Sequence, residues 1–120
     1  VKAMAFVIVI SRPDKPQEDT RSIPLTRKMI MGNSIYCDIV LDDKTVASMQ
    51  CEIQPVKTGH IVVKNLDGKK EVLHNQVRLK KAAIKADDVL KIGPFLLRID
   101  PTQLTPEELA VINTEYEEFV

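Results

Sequence analysis

The feature that most constrains this chain is its punctuation. From Ala3 to Ile99, short apolar, β-favouring segments alternate with turn chemistry every few residues. The segments are Ala3–Ile10, Ile23–Leu25, Arg27–Met31, Asp38–Leu41, Met49–Val56, His60–Leu66, Val72–Leu73, Gln76–Leu79, Val89–Ile92 and Phe95–Ile99. Between them lie a polar loop with two prolines (Ser11–Ser22), Gly32-Asn33-Ser34, Asp42-Asp43-Lys44, Thr58-Gly59, Asp67-Gly68 and Gly93-Pro94. That rhythm predicts an all-β sandwich of about ten or eleven short strands over residues 1–100. Ala3–Ile10 is apolar on both faces, which places it inside a sheet. Met49, Cys51 and Ile53 are expected on one face of their strand, with Pro55 ending the ladder or marking an edge. Asp67-Gly68 reads as a favourable hairpin dipeptide.

The last twenty residues change character and form a separate extension, 101–120. Thr105-Pro106-Glu107-Glu108 is a helix start, with Thr as N-cap, Pro at the first helical position and acids in the first turn. Leu109, Ile112, Tyr116 and Phe119 then recur at helical spacing. Two uses are open for such a helix: packing on its own sandwich, or linking to a neighbouring domain or partner.

Charge and cysteine content narrow the function class. The net charge is +0, but the five acids of the tail (Glu107, Glu108, Glu115, Glu117, Glu118) face no base there, while residues 1–100 carry 17 bases and 12 acids. No Lys/Arg cluster is interleaved with aromatics, so nucleic-acid binding is not expected. Arg78–Lys85 holds four positive charges without an aromatic anchor and reads as a solvated edge or loop. Cys37 and Cys51 sit in apolar strand patterns and read as buried free thiols of a reducing, cytoplasmic compartment. His60 and His74 stand alone, so no metal site and no cofactor is expected. No Ser/His/Asp or Cys/His constellation and no phosphate-cradling Gly-rich loop is present, so the chain is not read as an enzyme. The adjacent acids Asp42-Asp43 and Asp87-Asp88 fall at turns and read as loop caps. The apolar start is too short to span a bilayer, which needs about 20 residues. A chain that starts on Val1 and ends on Phe119-Val120 reads as a piece of a longer protein.

Three blocks in register carry a family resemblance. Gly32 to Ile53 reads GNSIYCDIVLDDKTVASMQCEI; Asn65 to Gln76 reads NLDGKKEVLHNQ; Ile84 to Gly93 reads IKADDVLKIG. The chain resembles a forkhead-associated (FHA) domain, of the SMAD/FHA β-sandwich type. Its pattern is Gly-Arg, then Asp-Ile-x-Leu-x-Asp, then Val-Ser-Arg-x-His. A second run is Asp-Leu-Gly-Ser-x-Asn-Gly-Thr-x-Val-Asn-Gly, and a third is Leu-x-x-Gly-Asp-x-Ile-x-Ile-Gly. Gly32, Asp38, Ile39, Leu41, Asp43, Val46, Leu66, Asn75, Asp88, Ile92 and Gly93 match. The resemblance covers most of residues 23–99 and implies the sandwich fold, with Gly32, Asp38, Gln50, Asn75, Asp88 and Gly93 as fold-setting positions. Local chemistry agrees: Gly32 ends a strand where positive φ is expected. Asp38 and Asp88 are each placed to accept backbone N–H bonds beside a strand.

The same resemblance locates a phosphothreonine pocket and shows it depleted. The family's phosphate donors are an Arg after the Gly, a Ser, a following Arg or Lys, and an Asn from the later loop. At those positions stand Asn33, Ala47, Ser48 and Lys70, and the family's bracing His is Gln50. A phosphothreonine carries nearly two negative charges and needs fixed donors. Each charge-assisted bond contributes about 1.5–3 kcal/mol. Losing two or three removes about 4–8 kcal/mol, a factor of roughly a thousand or more in affinity. The former pocket, Asn33, Ser34, Ala47, Ser48, Lys69 and Lys70, is therefore expected not to bind phosphothreonine. The expected function is a non-enzymatic protein–protein interaction module in a larger assembly or signalling protein, with a protein partner and without a membrane span of its own. Two alternatives stand beside it. One is a rebuilt phosphopeptide pocket using Lys44, Lys69 and Lys70. The other is the cytoplasmic FHA-like domain of a bacterial secretion-system inner-membrane ring protein, tethered at the cytoplasmic face of a membrane complex.

Overall fold

A computed structural model describes residues 6–18 and 20–118. Eleven strands run in chain order: β1 Phe6–Ser11, β2 Arg21–Leu25, β3 Met29–Gly32, β4 Ile39–Val40, β5 Cys51–Pro55, β6 Ile61–Asn65, β7 Val72–His74, β8 Val77–Arg78, β9 Lys81–Ile84, β10 Leu90–Ile92 and β11 Phe95–Ile99. A 3-10 turn at Pro101–Gln103 and one helix, α1 (Pro106–Ile112), follow. The strands form two sheets, ordered β2-β1-β11-β10-β7-β8 and β4-β3-β5-β6-β9. This is the expected all-β sandwich with a short C-terminal helix. Every paired neighbour is antiparallel except β3 and β4, which run parallel.

Period-two alternation explains why these residues pair as they do. Phe6, Ile8 and Ile10 of β1 point inward with Leu97 and Ile99 of β11 and Leu90 and Ile92 of β10. Met31, Cys51, Ile53, Ile61, Val63 and Ile84 face them from the second sheet. The described part of the apolar start lies between β2 and β11, inside its sheet as expected, while residues 3–5 fall outside the described residues.

The structure corrects several local expectations. Asp67-Gly68 is not a hairpin turn. β6 pairs with β5 and β9, so residues 66–71 cross from one sheet to the other. The tight hairpin lies at Asn75-Gln76, where both residues take positive φ (49° and 71°) between β7 and β8. Met49 precedes its strand and is exposed; only Cys51 and Ile53 of the expected face are buried. Cys37 is half-buried in the β3–β4 loop rather than in a strand. Arg78–Lys85 fits the edge reading: β8 ends one sheet and β9, Lys81–Ile84, ends the other.

The helix begins where the sequence says, with a complete capping box. Thr105 Oγ1 accepts from the Glu108 amide, and the Glu108 carboxylate accepts from the Thr105 amide. It stops at Ile112 instead of continuing through Tyr116, and Phe119 lies outside the described residues. Ile112 is buried in the sandwich core. Thr114–Glu118 then lies as an extended strap against the outer face of the five-stranded sheet. Asn113 Oδ1 accepts from the Ala86 amide, and the Tyr116 ring lies 5.3 Å from that of buried His60. His60 Nε2 is 3.0 Å from Thr114 Oγ1, and Lys85 and Lys81 hold Glu115 and Glu118.

Candidate functional site

Three loops converge at one end of the sandwich: β3–β4, β4–β5 and β6–β7. Backbone bonds stitch the first two together. The Asn33 amide donates to Ala47 O at 2.9 Å, and the Ser34 amide to Ser48 O at 3.2 Å. Gly32 makes this approach possible, though not for the reason expected. Its φ is not positive; a Cβ there would lie 2.2 Å from Ser48 O and 2.9 Å from Ala47 O. Gly93 has both reasons. It holds φ +55°, and a Cβ would meet Thr45 Oγ1 at 2.8 Å and Val46 Cγ2 at 2.9 Å.

Gln50 ties in the third loop. It is buried, 1% exposed, and saturates its amide. Oε1 accepts from the Ala47 amide at 2.9 Å, and Nε2 donates to Asn65 Oδ1 and to Lys70 O, both at 3.0 Å. A histidine offers two ring nitrogens; the glutamine here makes three bonds. Gln50 thereby links the β4–β5 loop to Asn65 and the β6–β7 loop.

Asn33, Ser34, Ala47, Ser48 and Lys70 are brought together, with Lys69 beside them on the β6–β7 loop. The Asp67 carboxylate accepts from the Lys70 amide at 2.6 Å and the Lys69 amide at 3.1 Å. These bonds, the Lys70 amide first, hold Asp67 below the usual carboxylate range and place a negative charge at the site. The Lys70 ammonium donates to Lys44 O at 3.1 Å and so is engaged within the protein. Lys44 and Lys69 are exposed, and among the described residues no carboxylate pairs with them.

The other fold-setting positions act as caps. Asp38 Oδ2 accepts from the Ile30 amide at 2.8 Å, with Arg27 on its other oxygen, and both lower its pKa. Asp88 takes bonds from the Lys85 amide, His74 Nε2 and Asn75 Nδ2, while Asn75 Oδ1 accepts from the Val89 amide. Burial opposes the Asp88 charge, yet these donors leave its pKa lowered.

Sequence reasoning passed over Asn65 and Asp67, although two Asx residues before Gly-Lys-Lys signal a side-chain-capped loop. It also passed over the apolar loop tip. Ile35 is 80% exposed and Tyr36 92%, and Met49 is exposed on the adjoining loop. An apolar pair inside a turn-rich polar segment is the signal for such a tip. The loop end thus presents apolar side chains beside the exposed Lys44 and Lys69.

Fold and loop geometry are those of an FHA domain. Solved structures agree on the fold. The FHA domain of the CT664 protein from Chlamydia trachomatis superimposes with a TM-score of 0.71 at 17% identity, over 80% of this chain and 96% of that one. Full-length yeast Pml1p gives 0.68 at 17%, over 79% and 80%. Mycobacterium tuberculosis EmbR, solved with a low-affinity phosphopeptide, gives 0.65 at 20%, over 78% of this chain and 24% of that one. Comparison with curated protein sequences finds no match. The sequence model of one family, the Yop/YscD "inner membrane component of T3SS, cytoplasmic domain", matches residues 17–103. The chain belongs to that family, and of the contexts the sequence left open this selects the secretion-system one.

Proposed function

We propose that this domain is a non-enzymatic protein-interaction module that works at the cytoplasmic face of the secretion apparatus without recognising phosphothreonine. One observation carries the reading. At the loop end where the fold places phosphate donors, Lys70 is bonded to Lys44 O and Asp67 occupies the Lys69 and Lys70 amides. A dianion arriving there meets a carboxylate and no preorganised cation fork. Gln50 and Gly32 meanwhile keep the loops rigid, which is what a contact surface needs. The exposed Ile35, Tyr36 and Met49 supply apolar anchors suited to a protein partner.

The test is a titration with a degenerate phosphothreonine peptide library, followed by amide shifts of residues 33–37, 44–48 and 67–71. Silence at the loops up to roughly millimolar peptide is expected. Saturable, phosphate-dependent shifts below roughly 100 μM would overturn the reading in favour of a pocket rebuilt on Lys44 and Lys69. In the assembled apparatus, Tyr36→Asp should weaken retention of the domain's partner while leaving the fold intact.

A further inference from the structure

The two outer faces of the sandwich are unlike. On the five-stranded sheet the cross-strand row Ile30–Glu52–Lys64–Lys81 mixes signs, and the strap covers part of that face. On the six-stranded sheet the outward row is Arg78–Leu73–Lys91–Leu96–Ser11, set by the strand registers. The next row is Arg98–Val9–Ser22. Cations alternate with apolar side chains, and among the described residues no outward strand position on this face is acidic. Arg78, Lys91 and Arg98 are exposed, and among the described residues none has a carboxylate partner.

Between these cations lies a groove of about 430 Å³, lined by Leu73, Asn75, Gln76, Val89, Lys91 and Leu96. Its wall includes a strained residue. Gln76 holds φ 71° at the position where the FHA pattern has glycine. A left-handed conformation costs a residue with a side chain about 1–2 kcal/mol. The β7–β8 turn requires this φ, and it sets the Gln76 side chain at the groove wall.

The strap shows what chemistry the lysines of the other sheet already hold. Its Glu115-Tyr116-Glu117-Glu118 segment lays a ring on His60 beside buried Val62 and sets Glu115 and Glu118 on Lys85 and Lys81. We propose that the groove and cation rows of the six-stranded sheet form a second protein-docking surface, for a segment with an apolar or aromatic side chain flanked by carboxylates. The side chain enters the groove and the carboxylates pair with Arg78, Lys91 and Arg98. A lipid surface fits less well. Leu73 and Leu96 are half-buried between the cations, and among the described residues no aromatic on this face protrudes to enter a bilayer. The surface is separate from the loop end and does not rest on how that end binds.

The test uses the isotope-labelled 120-residue chain at about 50 mM salt. The probe is a synthetic peptide with a central Tyr flanked by two Glu on each side. Saturable shifts at Leu73, Gln76, Lys91 and Leu96 are expected. Lys91→Glu with Arg98→Glu should weaken binding at least roughly tenfold, whereas Lys69→Glu at the loop end should not. These positions are solvent-facing, and an unchanged thermal melt confirms that the variant folds. The proposal is overturned by absence of saturable shifts, or by shifts confined to the loop end or to the strap's own site. Binding to phosphatidylserine/phosphatidylcholine vesicles, with the same charge dependence and no peptide binding, would overturn it in favour of a membrane contact.

Discussion

Gly32 and Ser48 approach so closely that a Cβ on residue 32 would lie 2.2 Å from the Ser48 carbonyl oxygen. The contact is backbone against side chain, so no rotamer change relieves it. Gly32→Ala should therefore destabilise the domain by about 2–3 kcal/mol through forced separation of the two loops. Gly68, with nothing within 4 Å of its own Cβ position and no positive φ, is the control. Gly68→Ala should be neutral or stabilising by up to about 1 kcal/mol. Urea midpoints of the two variants decide it, and equal losses would show that close approach is not what Gly32 provides.

Gln50 is the joint among three loops. Gln50→Ala empties a buried site and leaves the Ala47 amide without its partner, while Asn65 Oδ1 keeps the Asp67 amide and Lys70 O keeps Asn65 Nδ2. A loss of about 2–4 kcal/mol is expected, read as a fall of roughly 8–16 °C in Tm. Gln50→His recovers part of this, since an imidazole can serve two of the three groups. A histidine variant no more stable than the alanine one would refute the bracing role.

Acid should unfold the domain through its loop caps. Asp38, Asp43, Asp67 and Asp88 all have pKa values lowered on folding. A lowered folded value means stability fully present above the ordinary carboxylate pKa of about 4 and lost as pH falls through the folded values. Urea midpoints should thus hold level from pH 7 to about 5 and decline below. Asp88→Asn should lower stability at pH 7, because its bonds from the Lys85 amide and His74 weaken. The same variant should show a shallower acid decline. An unchanged slope would mean Asp88 does not contribute to the acid response.

Cysteine labelling should separate the two thiols. Cys51 is wholly buried and its pKa is pushed up to about 12 by that burial. Cys37 is half-buried, its pKa also raised by burial, and its thiol donates to Ser48 O. Iodoacetamide at pH 8 should alkylate native protein slowly at Cys37, with Cys51 modified only in denaturant. Mass spectrometry of the native reaction checks this, and early Cys51 labelling would show that the loop end opens readily.

Much of this was legible because it is local. Alternation marked the strands, and Thr105-Pro106-Glu107-Glu108 marked the helix start; the capping box appears only in the structure. What was not legible depends on distant partners. Gly32 looked like a positive-φ residue because nothing nearby in sequence reveals that Ser48 O will arrive against it. Tyr116 continued a helical spacing, but His60 and the ion pairs to Glu115 and Glu118 fit an extended strap instead. Asp67-Gly68 has hairpin chemistry, yet β6 already has β5 and β9 as neighbours, so the dipeptide serves a crossing. At the loop end, the missing phosphate donors could be read position by position from the family resemblance. The exposed Ile35 and Tyr36 and the engaged Lys70 ammonium needed coordinates.

The sheet order has one further consequence. Each sheet ends on a blunt strand: β8 and β4 are two residues long, β2 carries Pro24, and β9 carries Lys81 with the strap held beside it. None offers a long row of free backbone groups to which a neighbour could add a strand. Copies of the domain brought close together are therefore protected from edge-to-edge pairing, and can stand at high local density without fusing into a continuous sheet.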